Sequence, residues 1–137
     1  MPGESTQRPT ASELAILRVL WERGPSTVRE VMDALAGDRD MGYTTVLKFL
    51  QIMLEKKLVR RDDSGKTHVY TAATPAEKMQ RQLVGDLLEK VFSGSVSGLV
   101  MHALGSKKAS AAELQEIRRM LDELAPDVAK SKSTMKP

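Results

Sequence analysis

The apolar rhythm of this chain changes once, and that change limits the folds open to it. From Leu14 to Leu54 apolar residues recur three and four apart in three short stretches, the spacing of helices that each bury one face. At Leu58 the rhythm shortens. Leu58-Val59-Arg60-Arg61 and His68-Val69-Tyr70-Thr71 read as two strands, and Asp62-Asp63-Ser64-Gly65-Lys66 between them as a turn with its glycine suited to positive φ. Helical spacing then returns.

Local signals mark where each helix begins and ends. Thr10-Ala11-Ser12-Glu13 is a capping box ahead of Leu14, Leu17, Leu20 and Trp21, and Gly24-Pro25 stops that helix. Ser26 and Thr27, with Glu30, precede a second stripe of Val28, Val31, Met32 and Leu35. A third helix starts near Tyr43 or Thr44 and carries Val46, Phe49, Leu50, Met53 and Leu54. After the hairpin, Thr74-Pro75-Ala76-Glu77 opens a fourth helix that buries Met79, Leu83, Val84, Leu87, Leu88, Val91 and Phe92. Ser93-Gly94-Ser95 and Gly98 read as interruptions around a fifth segment with Val96, Leu99, Val100, Ala103 and Leu104. Ser110 and Glu113 cap a sixth helix bearing Leu114, Ile117, Leu121 and Leu124, closed by Pro126.

The predicted fold is mainly α with a small β-hairpin: a winged helix-turn-helix over residues 10–73 and a three-helix dimerisation region over 74–125. A flexible arm, 1–9, precedes them, and a Lys- and Ser-rich tail, 126–137, is expected to be disordered. In a winged helix-turn-helix the third helix enters the major groove of DNA, which is wide enough for one helix. Its apolar row holds it to the domain, and the opposite row, Thr44, Thr45, Lys48 and Gln51, is free to meet bases or phosphates, with Tyr43 at its start. Charge supports this locally. The chain is only +3 overall, but Lys48, Lys56, Lys57, Arg60 and Arg61 face Glu55 alone. Arg61, Lys66 and Thr67 on the wing are candidates to clamp phosphates, with Asp62 and Asp63 turned away. Ser26, Thr27 and Arg29 at the second helix start are candidates for a phosphate held at a helix N-terminus. Trp21, in phase with Leu14 and Leu17, is assigned to the core rather than to base stacking.

Other functions are excluded or unmarked. Aromatic residues are 4%, so the core is aliphatic and methionine-filled, which favours helices. Cysteine is absent, which removes disulfides, thiolate metal sites and cysteine catalysis, and fits a reducing cytoplasm. No apolar run is long enough to span a membrane, and MPGESTQRP holds no apolar stretch for a signal peptide. His68 and His102 stand on separate elements without a ligand set. There is no Gly-rich phosphate loop and no nucleophile with base and acid. No enzyme, metal or cofactor is expected.

The three helices after Pro75 carry wide apolar faces but a thin core for a single copy. Two copies side by side make a better one, and a two-fold dimer fits an inverted-repeat site. The residues assigned to that interface are Leu83, Leu87, Val91, Leu99, Val100, Leu104, Ile117, Leu121 and Leu124.

Tyr43-Thr44-Thr45-Val46, Leu50-Gln51, Lys56, Leu58 and Val59, a charged hairpin ending in Val69-Tyr70, Lys90-Val91-Phe92 with Leu99-Val100, and Glu113 to Ile117 with Leu121 together resemble the penicillinase-repressor family of the BlaI/MecI type. The resemblance covers roughly residues 8–124. It implies a cytoplasmic bacterial homodimer that represses transcription from an inverted repeat in double-stranded DNA, often with a TACA/TGTA core. Its targets in that family include β-lactamase and related regulatory genes. A copper-responsive branch uses cysteines near its C-terminus, which this chain lacks. Two positions depart from the family: Ile52 stands where arginine is usual, and Lys57 where glycine or asparagine is usual. Lys57 gives up the easy left-handed cap but suits the negative end of a helix. The family's regulatory protease cuts within the fifth helix, commonly between Asn and Phe. That bond corresponds to His102-Ala103 here, and neither residue matches. Two alternatives remain at this stage. One is a winged-helix protein-interaction module without DNA binding, favoured by Leu47 and Ile52 beside the polar row. The other is a ligand-sensing winged-helix repressor, for which no residue pattern marks a pocket.

Overall fold

Hydroxyl and glutamate pairs start the helices where local chemistry places them. Thr10 Oγ1 accepts from Glu13 N at 3.3 Å while the Glu13 carboxylate accepts from Thr10 N at 3.0 Å. Thr27 and Glu30 repeat the exchange at 3.2 and 2.9 Å. Ser110 caps its helix alone, accepting from Glu113 N at 3.1 Å. Each such cap satisfies amide groups that the helix itself leaves unpaired.

The computed structural model describes residues 8–106 and 109–125. Within them the order is α1 (Ala11–Arg23), α2 (Val28–Leu35), α3 (Tyr43–Glu55), β1 (Val59–Asp62), β2 (Val69–Ala72), α4 (Ala76–Lys90), α5 (Val96–Ser106) and α6 (Ala111–Leu124). β1 and β2 pair antiparallel, with Val59 opposite Ala72 and Asp62 opposite Val69. The fold is a winged helix-turn-helix followed by further helices. The chain divides after Leu87 into two compact units, and α4 runs across the division. The tail expected at 126–137, and residues 1–7 of the expected arm, lie outside the described residues. Arg8 is tied down: its Nε sits 2.6 Å from Asp86 Oδ2.

The first unit owns the core. Ile16, Leu17 and Leu20 of α1 meet Val31 and Leu35 of α2 and Val46, Leu50 and Met53 of α3. Leu58, Val59, Tyr70 and Met79 close the cluster. Each such side chain contributes roughly 1.5–3 kcal/mol by leaving water. α1 is buried more widely than its Leu14-Leu17-Leu20 stripe suggests, because Ala15, Ile16 and Val19 are also buried. Trp21 lies half-buried against this core and its indole donates to the Thr74 carbonyl at 2.8 Å.

Two long-range ties orient the pieces. Ser26 and Tyr70 exchange backbone hydrogen bonds of 2.9 and 2.8 Å, so the α1–α2 turn acts as a short third strand beside the wing. Glu13, 3% exposed, also takes the Lys56 ammonium at 2.6 Å, joining the start of α1 to the end of α3.

Three local expectations are corrected. Gly98 does not interrupt α5. It lies in the first turn, where its N–H donates to Ser95 Oγ at 3.0 Å, and a Cβ there would come within 2.9 Å of that oxygen. Gly65 is not at positive φ. The wing turn is held instead by the Asp62 carboxylate, which accepts from Ser64 N at 2.9 Å. Lys57 does adopt the left-handed conformation, at φ 65°. Lys57 N donates to the Leu54 carbonyl and Leu58 N to that of Met53, a Schellman ending in which glycine is the usual residue. A side chain there costs about 1–2 kcal/mol, partly offset because glycine loses more entropy on folding. Lys57→Gly is therefore expected to raise stability by about 0.5–1 kcal/mol, read from the midpoint of urea unfolding; an unchanged or lower midpoint would contradict the strain.

Candidate nucleic-acid interface

Helical geometry sorts α3 into three faces. Val46, Leu50 and Met53 are fully buried. Opposite them, Thr44, Lys48, Gln51 and Glu55 are exposed, with Thr45 and Ile52 along one flank. Tyr43 and Leu47 lie on the other flank, facing the wing. α3 starts at Gly42 with no side-chain cap and no acidic residue in its first turn. Its leading N–H groups therefore keep their attraction for an anion.

The wing root brings these residues beside others distant in sequence. Tyr43, Leu47, Gln51, Arg61, Lys66, Thr67 and His68 line one groove of about 440 Å³ between α3 and the hairpin. A second hollow of about 410 Å³ adjoins it, lined by Thr27, Val28, Arg29, Tyr43 and Thr67. Tyr43 and Thr67 belong to both, so the α2 start, the α3 start and the wing share one face. Thr44, Thr45 and Lys48 line neither hollow and stand exposed on α3. Leu47 and His68 were not among the DNA-contact candidates read from sequence. Leu47 has the right helical phase to have been found, whereas His68 is placed only by the hairpin register.

Ser26 must be removed from the candidate set. It is fully buried, its hydroxyl donates to the Gly24 carbonyl at 2.8 Å, and Arg23 Nε donates to it at 3.2 Å. Thr27 spends its hydroxyl on capping α2, while the Arg29 side chain is exposed. Arg61 is present at the groove but engaged: its Nε lies 2.7 Å from Asp63 Oδ1. Asp63 thus does not simply turn away, and His68 Nε2 sits 3.6 Å from the same carboxylate. Bonds from Asp63, then from Tyr70, push the Arg61 pKa further up. The Ser64 hydroxyl, then its backbone N–H, holds the Asp62 carboxyl below its usual range. Lys66 makes no ion pair among the described residues. Among the described residues there is also no cluster of His, Asp and Glu able to hold a metal ion, and no helix long and apolar enough to cross a membrane.

A third helix with an exposed polar row, a basic wing beside it and a bridged wing root define a DNA-binding regulator of the winged-helix class. The family described as penicillinase repressor matches residues 9–123, and the chain belongs to it. The "Transcriptional regulator BlaI" of Mycobacterium tuberculosis is 34% identical over 114 residues, 82% of this chain and 81% of that protein. The "Methicillin resistance regulatory protein MecI" of Mammaliicoccus sciuri is 17% identical over 117 residues, covering 85% and 95%. A Staphylococcus aureus MarR solved with salicylate and kanamycin shares the fold, with a TM-score of 0.50 and 17% identity over 89% of this chain and 75% of that one. The chain is a DNA-binding transcriptional repressor and not an enzyme.

Against a duplex, the Arg61–Asp63 pair would compete with phosphate for the guanidinium. Asp63→Asn is expected to strengthen binding to any duplex several-fold and to steepen the log K against log salt slope by about 0.9, one additional phosphate contact. Filter binding at several salt concentrations reads this, and an unchanged slope would place Arg61 away from the backbone.

Proposed function

We propose that the chain represses transcription as a cytoplasmic homodimer, each copy laying α3 into the major groove at one half of an inverted-repeat operator. The observation that carries this reading is the shared face: the α2 start, the α3 start and the wing meet around Tyr43 and Thr67, and Gln51 of α3's polar row lines the wing groove. On α3, Thr45 is suited to a thymine methyl, and Lys48 and Gln51 to base edges. Lys66, Thr67 and Arg29 are suited to phosphates on either side. The polar row does not favour a protein-binding role, since Leu47 is half-buried toward the wing and Ile52 sits at the flank.

The helices after Pro75 support the dimer. No described residue of α5 or α6 is buried. Val91 is 63% exposed, Leu121 62% and Leu124 79%, and Leu87, Val100 and Leu104 are exposed as well. Leu99 and Ile117 are half-buried. Leu83 differs from the rest, because it already packs against the winged-helix core. Apolar helices without a core in one copy gain one by pairing with a second. The regulated genes proposed are β-lactamase or cell-envelope stress genes, in line with the family.

Release would follow loss of the dimer, since a single half-site contact forfeits the tethering that makes binding tight. His102 and Ala103, the position of the family's regulatory cleavage, are both exposed on α5. A protease acting there must accept a small residue after the cut instead of an aromatic one. If no such protease acts, another signal releases the repressor. Mass spectrometry of the repressor from its host after a cell-wall antibiotic decides this. Fragments ending at His102 establish the cut, and an intact chain on derepressed DNA rules it out.

Lys48→Ala or Thr45→Ala is expected to narrow the gap between operator and scrambled duplex by about 1–3 kcal/mol, while Lys66→Ala weakens both duplexes alike. Equal wild-type affinity for both duplexes would refute the reading.

The dimer has its own test. Leu99→Asp or Leu121→Asp is expected to yield monomers by sedimentation, with the wing and α3 still folded by NMR, because a buried charge costs several kcal/mol. A wild type that sediments as a monomer at micromolar concentration yet keeps full operator affinity would overturn the dimer.

A further inference from the structure

Arg60 and Arg61 are adjacent on β1 and so leave the wing on opposite faces. Arg61 lines the groove beside α3. Arg60 lines a different hollow of about 300 Å³, with Arg8, Lys56, Lys57, Lys78 and Gln82. These residues come from four parts of the chain: the approach to α1, the end of α3, the wing and α4. No carboxylate lines the hollow. Two of its cations are balanced from outside it, Arg8 by Asp86 and Lys56 by Glu13, each at 2.6 Å. Lys57, Arg60 and Lys78 form no ion pair among the described residues. Gathering three unbalanced like charges around one hollow is unfavourable without a counter-charge. Lys57 also holds its place from a left-handed backbone, and strain of that kind collects at functional sites.

We infer that this hollow is a binding site for a small molecule carrying a pyrophosphate or other paired phosphate groups. Two ammonium groups and a guanidinium approaching from different elements suit an anion with oxygens in several directions, whereas a planar carboxylate is matched by one arginine fork. The volume lies at the lower end of small-ligand sites. A duplex needs a long exposed track, and the hollow is on the face of β1 away from the α3 groove.

The test is an NMR titration of the full chain with inorganic pyrophosphate, alongside ADP and, as control, sulfate. Amide shifts are expected at residues 56–60 and 73–82, with sulfate much weaker. Lys78→Gln with Gln82→Ala is expected to weaken pyrophosphate binding about tenfold or more, the effect of losing charge-assisted and polar contacts, and to leave operator affinity and its salt slope unchanged. Binding of ADP tighter than pyrophosphate would identify a nucleotide as the source, and equal binding the free anion. Shifts confined to residues 43–51 and 66–68, or unaltered binding by the double variant, would overturn the site. So would a double variant with weaker duplex binding and a shallower salt slope, because the hollow would then be holding DNA phosphate. Retained operator binding in that variant keeps this outcome separate from any failure of the repressor reading.

Discussion

Two backbone hydrogen bonds between Ser26 and Tyr70 hold the working face together. A two-stranded hairpin is barely stable alone. Bridged to the α1–α2 turn, and with the Tyr70 ring buried in the core, the hairpin has a fixed root. The same bridge sets the α2 start against Thr67 and Tyr43. Without it the wing residues could not share a face with α3, whatever their charges. Ser26 is buried at this bridge, its backbone paired with Tyr70 and its hydroxyl held by the Gly24 carbonyl and Arg23 Nε.

Charge in this domain does two different jobs. Glu13 and Lys56 form a nearly buried pair that also completes the α1 capping box. Such a pair adds little net stability against desolvation, but losing one partner would strand the other, so it fixes how α3 ends against α1. Arg61 and Asp63 form an exposed pair on the wing, where water screens the attraction and the contribution to stability is small. On the proposed interface that pair would matter for binding, because it occupies a cation at the groove. Similar-looking ion pairs therefore differ in role: one fixes fold geometry, and the other, on the proposed interface, would tune affinity.

The second unit has the opposite character from the first. Its helices α5 and α6 start at Ser95 and Ser110 caps, α5 apolar along most of its length and α6 amphipathic, yet none of their described residues is buried within one copy. Apolar area left in water is a standing driving force for association. On the proposed dimer, the stability of this unit would rise with protein concentration, as for any element completed by a partner.

Helix starts, the hairpin and the order of elements were legible from residues alone, because caps and periodicity act within about four positions. Thr10 with Glu13, Thr27 with Glu30, and Ser110 with Glu113 each found its partner in the same turn. The exposed row of α3 was legible for the same reason. Several features were not. Ser26 reads locally as a cap and becomes a buried bridge residue, because Tyr70, 44 positions on, takes its backbone. Arg61 reads as a free cation and is paired, because the wing turn folds Asp63 back onto it. Lys57 reads as a residue that avoids the left-handed region, yet it is held there by the need to turn sharply from α3 into buried Leu58 and Val59. The sequence by itself determined which segments are helix or strand and which face of each is apolar, since those depend on neighbouring residues. Only the tertiary structure decided which polar groups are free to meet a ligand, since that depends on partners brought from far along the chain.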